Sequence, residues 1–295
     1  MLIYYLIFIS SYGLETVCTL MNKRYQLSAG TGKLATAVFL FFNGIAVVMV
    51  SSIAILCTGG SFRFTPYSFL MAFGVVACCA LHTLATFKAY EKGQIAVVTV
   101  FSKVGNIVFT CLWGIFVLHE QLTPRQWIAI AVIITSVVLV LFDRKIKLPK
   151  ELLWLLVVIT VLLSMTDIVS KQHQIETRFE TVDVLNFTLW LGIIRMVMFS
   201  WSLIPLLKSP GSSSGCPLSM HAIGYALAGS AANIVCYMCL LVAAKVLPIA
   251  LTTPLGSALS ISFTAVMAWI AYRETMKPRQ IFGLLLCILG ICLYT

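Results

Sequence analysis

Ten apolar runs set the terms on which this chain can fold: Leu2–Leu20, Leu34–Thr58, Pro66–Phe87, Gln94–Val117, Gln126–Phe142, Leu152–Ser170, Val184–Leu207, Met220–Ala244, Val246–Tyr272 and Gln280–Thr295. Crossing a bilayer as a helix takes about 20 residues, and these runs approach or exceed that length. The composition agrees: 60% of the 295 residues are hydrophobic and 10% charged, against roughly 25% charged in a soluble domain. No soluble surface can be built from that inventory. The expected fold is an all-α polytopic membrane protein with ten transmembrane helices.

A near-repeat divides the chain. "EQLTPRQ" at 120–126 and "ETMKPRQ" at 274–280 share four of seven residues, 154 positions apart, and each precedes the last apolar run of its half. At the same offset Thr99 falls on Thr253 and Phe109-Thr110 on Phe263-Thr264, while Glu15 lies 152 positions before Asp167. The polar link "DRKIKLPKE" at 143–151 separates five runs from five; "KSPGSSSGCP" at 208–217 is a Gly/Ser-rich loop within the second half. With an odd number of spans per half, the second half enters the membrane from the opposite side. The halves, 1–147 and 148–295, therefore form two inverted five-helix repeats, a common build for secondary transporters whose site lies near the midplane between the repeats.

These features resemble the ten-helix EamA-like transporters of the drug/metabolite transporter superfamily. An acidic residue closes the fourth helix of each half (Glu120, Glu274), followed by a polar link and a Gly/Ala-rich fifth helix. The family usually carries Gly before the acid, where this chain has His119 and Arg273. The resemblance implies a central cavity lined by the first, third, fourth, sixth, eighth and ninth spans. "LETVCTLMNK" at 14–23 also resembles the first helix of the small multidrug resistance transporters. There an intramembrane Glu binds protons and cationic substrates in turn, and Glu15 is the matching position.

Charge within the spans marks candidate site residues, because an ionisable group in a bilayer faces a cavity or a partner. Glu15, Lys103, Asp167 and Arg195 are the four. A carboxylate removed from water favours its neutral form, so Glu15 is a candidate proton carrier; the alternative is a hydrogen-bond partner for a neighbouring helix. Asp167 has Lys171 one turn later as an i,i+4 partner. Lys103 precedes Gly105 and Asn106, a stretch read as a locally irregular helix whose backbone faces a cavity; a structural pair with Glu15 or Asp167 is the alternative. Snorkelling or a structural pair competes with a binding role for Arg195. Pro248, Pro254 and Gly256 in the ninth span would free backbone carbonyls for a substrate or serve packing. His82 and Asn233 add polar groups in the third and eighth spans. Glu120 and Glu274 are read as structural, each favouring the start of the helix that follows it.

The net charge of +10 comes from short clusters between spans, the signature of the positive-inside rule and not of nucleic-acid binding. Thirteen Lys and Arg fall in the odd-numbered links and five in the even ones. That places the odd links in the cytoplasm and both termini outside, in the cell membrane. The "MLIYYLIFIS" start lacks a basic region and a cleavage site and reads as a retained helix. The cysteines lie mostly within apolar runs as small hydrophobes, and no cofactor or metal is implied.

The expected function is a secondary transporter moving a small metabolite, an amino acid or similar polar or amphipathic solute, by alternating access. The alternative within transport is proton-coupled efflux of cationic drugs. An intramembrane enzyme is the reading from another class, and it lacks motifs: there is no HExxH, and the GxSxG match "GSSSG" at 211–215 sits in the flexible loop. Small solute, lipid bilayer and protons are the partners considered.

Overall fold

In a computed structural model the described residues are mostly helical. The structure describes residues 2–30, 32–92, 95–141, 150–204 and 219–272, together with 281–283, 285, 286, 289, 290 and 293. The helices are α1 (Leu2–Ala29), α2 (Lys33–Cys57), α3 (Pro66–Lys92), α4 (Ile95–Phe116), α5 (Pro124–Leu141), α6 (Lys150–Ile175), α7 (Val184–Phe199, continued by a 3-10 turn at Ser200–Ser202), α8 (Met220–Ala244) and α9 (Ile249–Tyr272). The described positions from 281 to 293 are helical too. Among the described residues, six helices are long and apolar enough to cross a membrane by length and composition. Their outer faces present large apolar side chains such as Leu6, Ile53, Leu70 and Trp154. The 147/148 boundary between the expected repeats lies outside the described residues, as do Glu274 and the second heptapeptide.

Two ends of the bundle can be told apart by their contacts. At one end Asn186, opening α7, donates to the Ser61 carbonyl at 3.1 Å and accepts from the Arg63 amide at 2.9 Å, both in the α2–α3 link. At the same end Glu120, after α4, meets the start of α9. At the other end Tyr25 of α1 donates to the Ala35 carbonyl of α2 at 2.7 Å and packs with Ala222 and Ala226 of α8. The even links thus share one face and the first link lies at the other. So α1 and α6 run in opposite directions, which is the inverted relation expected from five spans per half.

The contacts repeat under exchange of halves. Replacing each helix by the one five places on turns α1·α8 into α6·α3, α4·α6 into α9·α1, and α2·α8 into α7·α3, while α2·α7 and α4·α9 map onto themselves; all of these pairs are in contact. Lipid offers little hydrophobic drive between helices, so close packing of small residues holds such crossings. At α2·α7, a Cβ on Gly44 would stand 2.7 Å from the Met196 amide, and one on Gly192 2.9 Å from the Val48 amide. Only glycine lets the two backbones approach this closely.

The heptapeptide at 120–126 now has a physical account. Thr123 Oγ1 accepts from the Gln126 amide at 3.3 Å, and Gln126 Oε1 accepts from the Thr123 amide at 2.8 Å. That is a reciprocal capping box, with Pro124 at the first helical position of α5. Glu120 is therefore released from α5, correcting the expectation that it favours the next helix. Its Oε1 and Oε2 accept from the Ile249 and Ala250 amides at 2.8 and 3.0 Å. It caps α9, a helix of the other half. To bring the carboxylate there the chain turns at His119, whose φ of 54° is left-handed. This is a position suited to glycine.

Both halves of this turn are testable by thermal unfolding in detergent. Glu120→Ala should destabilise the protein by about 1–2 kcal/mol through loss of the cap. His119→Gly should stabilise it by about 1 kcal/mol by relieving the left-handed backbone.

Candidate functional site

A cavity of about 230 Å³ lies between the halves, walled by α1, α4, α6, α8 and α9. Each helix presents a stripe at i, i+3 or i+4 spacing, the period that puts side chains on one helical face. Phe8, Tyr12 and Glu15 come from α1, Lys103 and Asn106 from α4, and Leu163, Asp167, Ser170 and Lys171 from α6. The α8 wall starts at Asn233 and ends at Ala244; the α9 wall runs from Ile249 to Ser257. The cavity therefore reaches from mid-span towards the end of the bundle that carries the even links.

The charged groups meet at its mid-span end. Lys103 Nζ stands 4.0 Å from Glu15 Oε1, with the two side chains 27% and 30% exposed. Asn106 Nδ2 donates to Asp167 Oδ2 at 2.8 Å. Asn106 is buried, and its Oδ1 meets no hydrogen-bond donor among the described residues. The mid-span end of the cavity thus joins two carboxylates, the Lys103 ammonium and one buried amide oxygen facing a small volume. Apolar surface from Phe8, Tyr12, Leu163 and Leu240 faces them.

Asp167 and Lys171 do not pair with each other. Lys171 turns away, donating to the Ala244 and Leu247 carbonyls at 2.5 and 2.8 Å. A buried ammonium thereby satisfies carbonyls left open where α8 stops. Together with Glu120 on the α9 amides, it clamps the α8–α9 joint from both sides. Beside it Tyr237 donates to Ser170 Oγ at 2.6 Å, and Ser170 donates to the Thr166 carbonyl at 2.6 Å.

Several sequence candidates lie elsewhere or act otherwise. His82 is on α3, which does not contribute to the cavity wall. Arg195 of α7 bonds Asn43 Oδ1 of α2, and Asn43 Nδ2 donates to Ser230 Oγ of α8 at 2.8 Å, so this arginine ties three helices together away from the cavity. Gly105 does not make α4 irregular. The helix is continuous, and a Cβ there would collide with Thr160 of α6. The glycine brings α4 close enough for Asn106 to reach Asp167. Pro248 stands just before α9 and frees nothing within it. Pro254 does lie inside α9 and lacks the N–H that would bond the Ala250 carbonyl. That carbonyl accepts from the Cys111 thiol of α4 at 3.5 Å. Gly256 lines the cavity, and Tyr12 lies directly against it, where any Cβ would clash. Tyr12, Ser170 and Lys171 were not among the sequence candidates for the site. Helical spacing from Glu15 and Asp167 would have indicated the first two.

Residues 150–295 match the EamA-like transporter family. The second half of the chain belongs to the EamA-like transporter family. The match begins at the first residue of α6 and covers one five-helix half; the first half mirrors it in helix contacts. No curated protein matches the sequence. A solved crystal structure of a protein shares the fold with a TM-score of 0.75 at 14% identity, over 99% of this chain and 96% of its own. At that identity the likeness shows the fold alone. With its EamA-like half and apolar helices, the chain is a multi-pass membrane transporter of small solutes.

The Lys171 clamp can be checked directly. Lys171→Met should lower stability by about 1.5–3 kcal/mol, because two carbonyls lose a charged donor. The change should appear as a lower unfolding midpoint of the purified protein.

Proposed function

We propose that this EamA-like protein carries a small zwitterionic solute, of the amino-acid type, by alternating access between its two five-helix repeats, 1–147 and 148–295. The supporting observation is the buried Asn106 Oδ1 beside Asp167, facing a cavity that also holds the Glu15–Lys103 pair. A solute ammonium fits between Asp167 and that amide oxygen, both acceptors. Its carboxylate fits Lys103, and an apolar side chain fits the wall of Phe8, Tyr12 and Leu240. The cavity, about 230 Å³, leaves room for a small solute.

Proton-coupled efflux of cationic drugs is the second reading, carried by Glu15 in its motif-like helix. The geometry favours the zwitterion, because an ammonium already stands 4.0 Å from Glu15. In proteoliposomes, labelled proteinogenic L-amino acids should enter down their gradient. Glu15→Gln should insert and fold but lose at least tenfold in uptake. Ethidium efflux driven by a pH gradient, with no amino acid carried, would replace this reading by the second one.

We further infer a plasma-membrane location with the even links outside. Lys171, counted with those links in the sequence, is buried, which leaves four basic residues in them against thirteen in the odd links. In protein with its native cysteines replaced, Gln121→Cys and Glu180→Cys should react with an impermeant thiol reagent in intact cells. Gly32→Cys and His221→Cys should stay protected; the reverse pattern would invert the orientation.

A further inference from the structure

An alternating carrier must return empty if it is to give net transport, and on the way it shuts its cavity off from water on both sides. A lone charge in such a cavity opposes closure, because it loses hydration without gaining a partner. The mid-span cluster here holds Glu15, Asp167 and Lys103, a formal charge of −2 + 1 = −1 when all three are ionised. Lys103 reaches Glu15 from the other side of the cavity, α4 against α1, so the pair bridges helices lining opposite parts of the wall. Lys171, the other ammonium, is committed to the Ala244 and Leu247 carbonyls.

We propose that Lys103 is a tethered counter-ion: its ammonium occupies the carboxylate site when no solute is bound, so the empty carrier closes and recrosses without a bound cation. This rests on the alternating-access reading and adds the regulation of that site. A zwitterion brings both charges. Its carboxylate draws Lys103 from Glu15, its ammonium settles between Asp167 and the Asn106 amide oxygen, and the charge of the mid-span cluster stays at −1. Empty and loaded carriers then close with equal charge, and transport is net flux and not obligatory exchange.

The test needs no solute, so it stands apart from the uptake assay. Cysteine-free protein in nanodiscs carries one fluorophore pair at Gln121→Cys and Glu180→Cys, or another at Gly32→Cys and His221→Cys at the opposite end. Single-molecule energy transfer then follows the empty carrier. Wild type and Lys103→Arg, both at −1, should alternate between two distances, reciprocally at the two ends. Lys103→Gln leaves −2 and should alternate at least tenfold more slowly. Glu15→Gln/Lys103→Gln returns the charge to −1 and should restore the rate to within about threefold. A wild type that does not alternate empty, a Lys103→Gln rate equal to wild type, or a double variant as slow as Lys103→Gln would each overturn the proposal. If Lys103→Gln does not fold, the swapped pair Glu15→Lys/Lys103→Glu decides. It keeps both pair and charge, so alternation supports the counter-ion and arrest refutes it.

Discussion

Every polar group in a bilayer must find its partner within the protein, because no water stands ready to replace a missing one. The α8–α9 joint shows how this demand shapes the bundle. Where α8 ends, the Ala244 carbonyl points into the structure, and Lys171 of α6 takes it together with that of Leu247. Where α9 begins, two amides are exposed, and Glu120 at the end of α4 accepts both. Both partners are charged, and Glu120 comes from the opposite half. The cost of unsatisfied backbone thus becomes a device that fixes one end of the cavity and couples the halves.

The cavity follows from the same logic. Two antiparallel halves leave α1, α4, α6, α8 and α9 facing one another around the pseudo-two-fold axis, while α2 and α7 cross at their glycines to one side. Charges that cannot face lipid collect in this central space, and glycines set how near they come. A Cβ at Gly105 would collide with Thr160, and one at Gly256 with Tyr12, so both glycines permit the close approach of the cavity helices.

The spans were legible in the sequence because hydrophobicity and length are local properties. Met220–Ala244 agrees to the residue, while α1 and α6 continue past their apolar runs as Leu2–Ala29 and Lys150–Ile175. Lys23 and Arg24 therefore sit on the odd-link end of α1, and Lys171 within α6. The intramembrane charged residues were legible as a set, since few ionisable groups lie deep in the spans. Their pairing was legible only in part: a Lys103 pair with Glu15 or Asp167 stood among the alternatives, beside an Asp167–Lys171 pair that does not form. Lys171 follows Asp167 by one helical turn but bonds α8, and Glu15 has no basic residue within seven positions but faces Lys103, 88 positions away in the chain. Partner choice depends on helix rotation and crossing distance, which no local pattern encodes. Arg195 and the Ala250 carbonyl freed by Pro254 likewise find partners on other helices, Asn43 of α2 and Cys111 of α4.

The two halves share a fold and differ in chemistry, and the difference lies where the charge is. Glu15 and Asp167 occupy matching positions on α1 and α6. Symmetry would have α9 serve Glu15 as α4 serves Asp167 through Asn106. At the offsets that relate the halves, 152 to 154 residues, α9 carries Ala258, Leu259 and Ser260 opposite Asn106, and Leu255, Gly256 and Ser257 opposite Lys103. No amide or cation stands at those positions. Both carboxylates consequently depend on α4, one for an amide hydrogen bond and the other for an ammonium. The inward- and outward-facing forms of such a carrier are then not mirror images in energy, because exchanging the roles of the halves does not exchange their charges. In the alternating-access cycle proposed above, the repeat supplies the geometry, and Lys103 and Asn106 of α4 supply an ammonium and an amide that bias it.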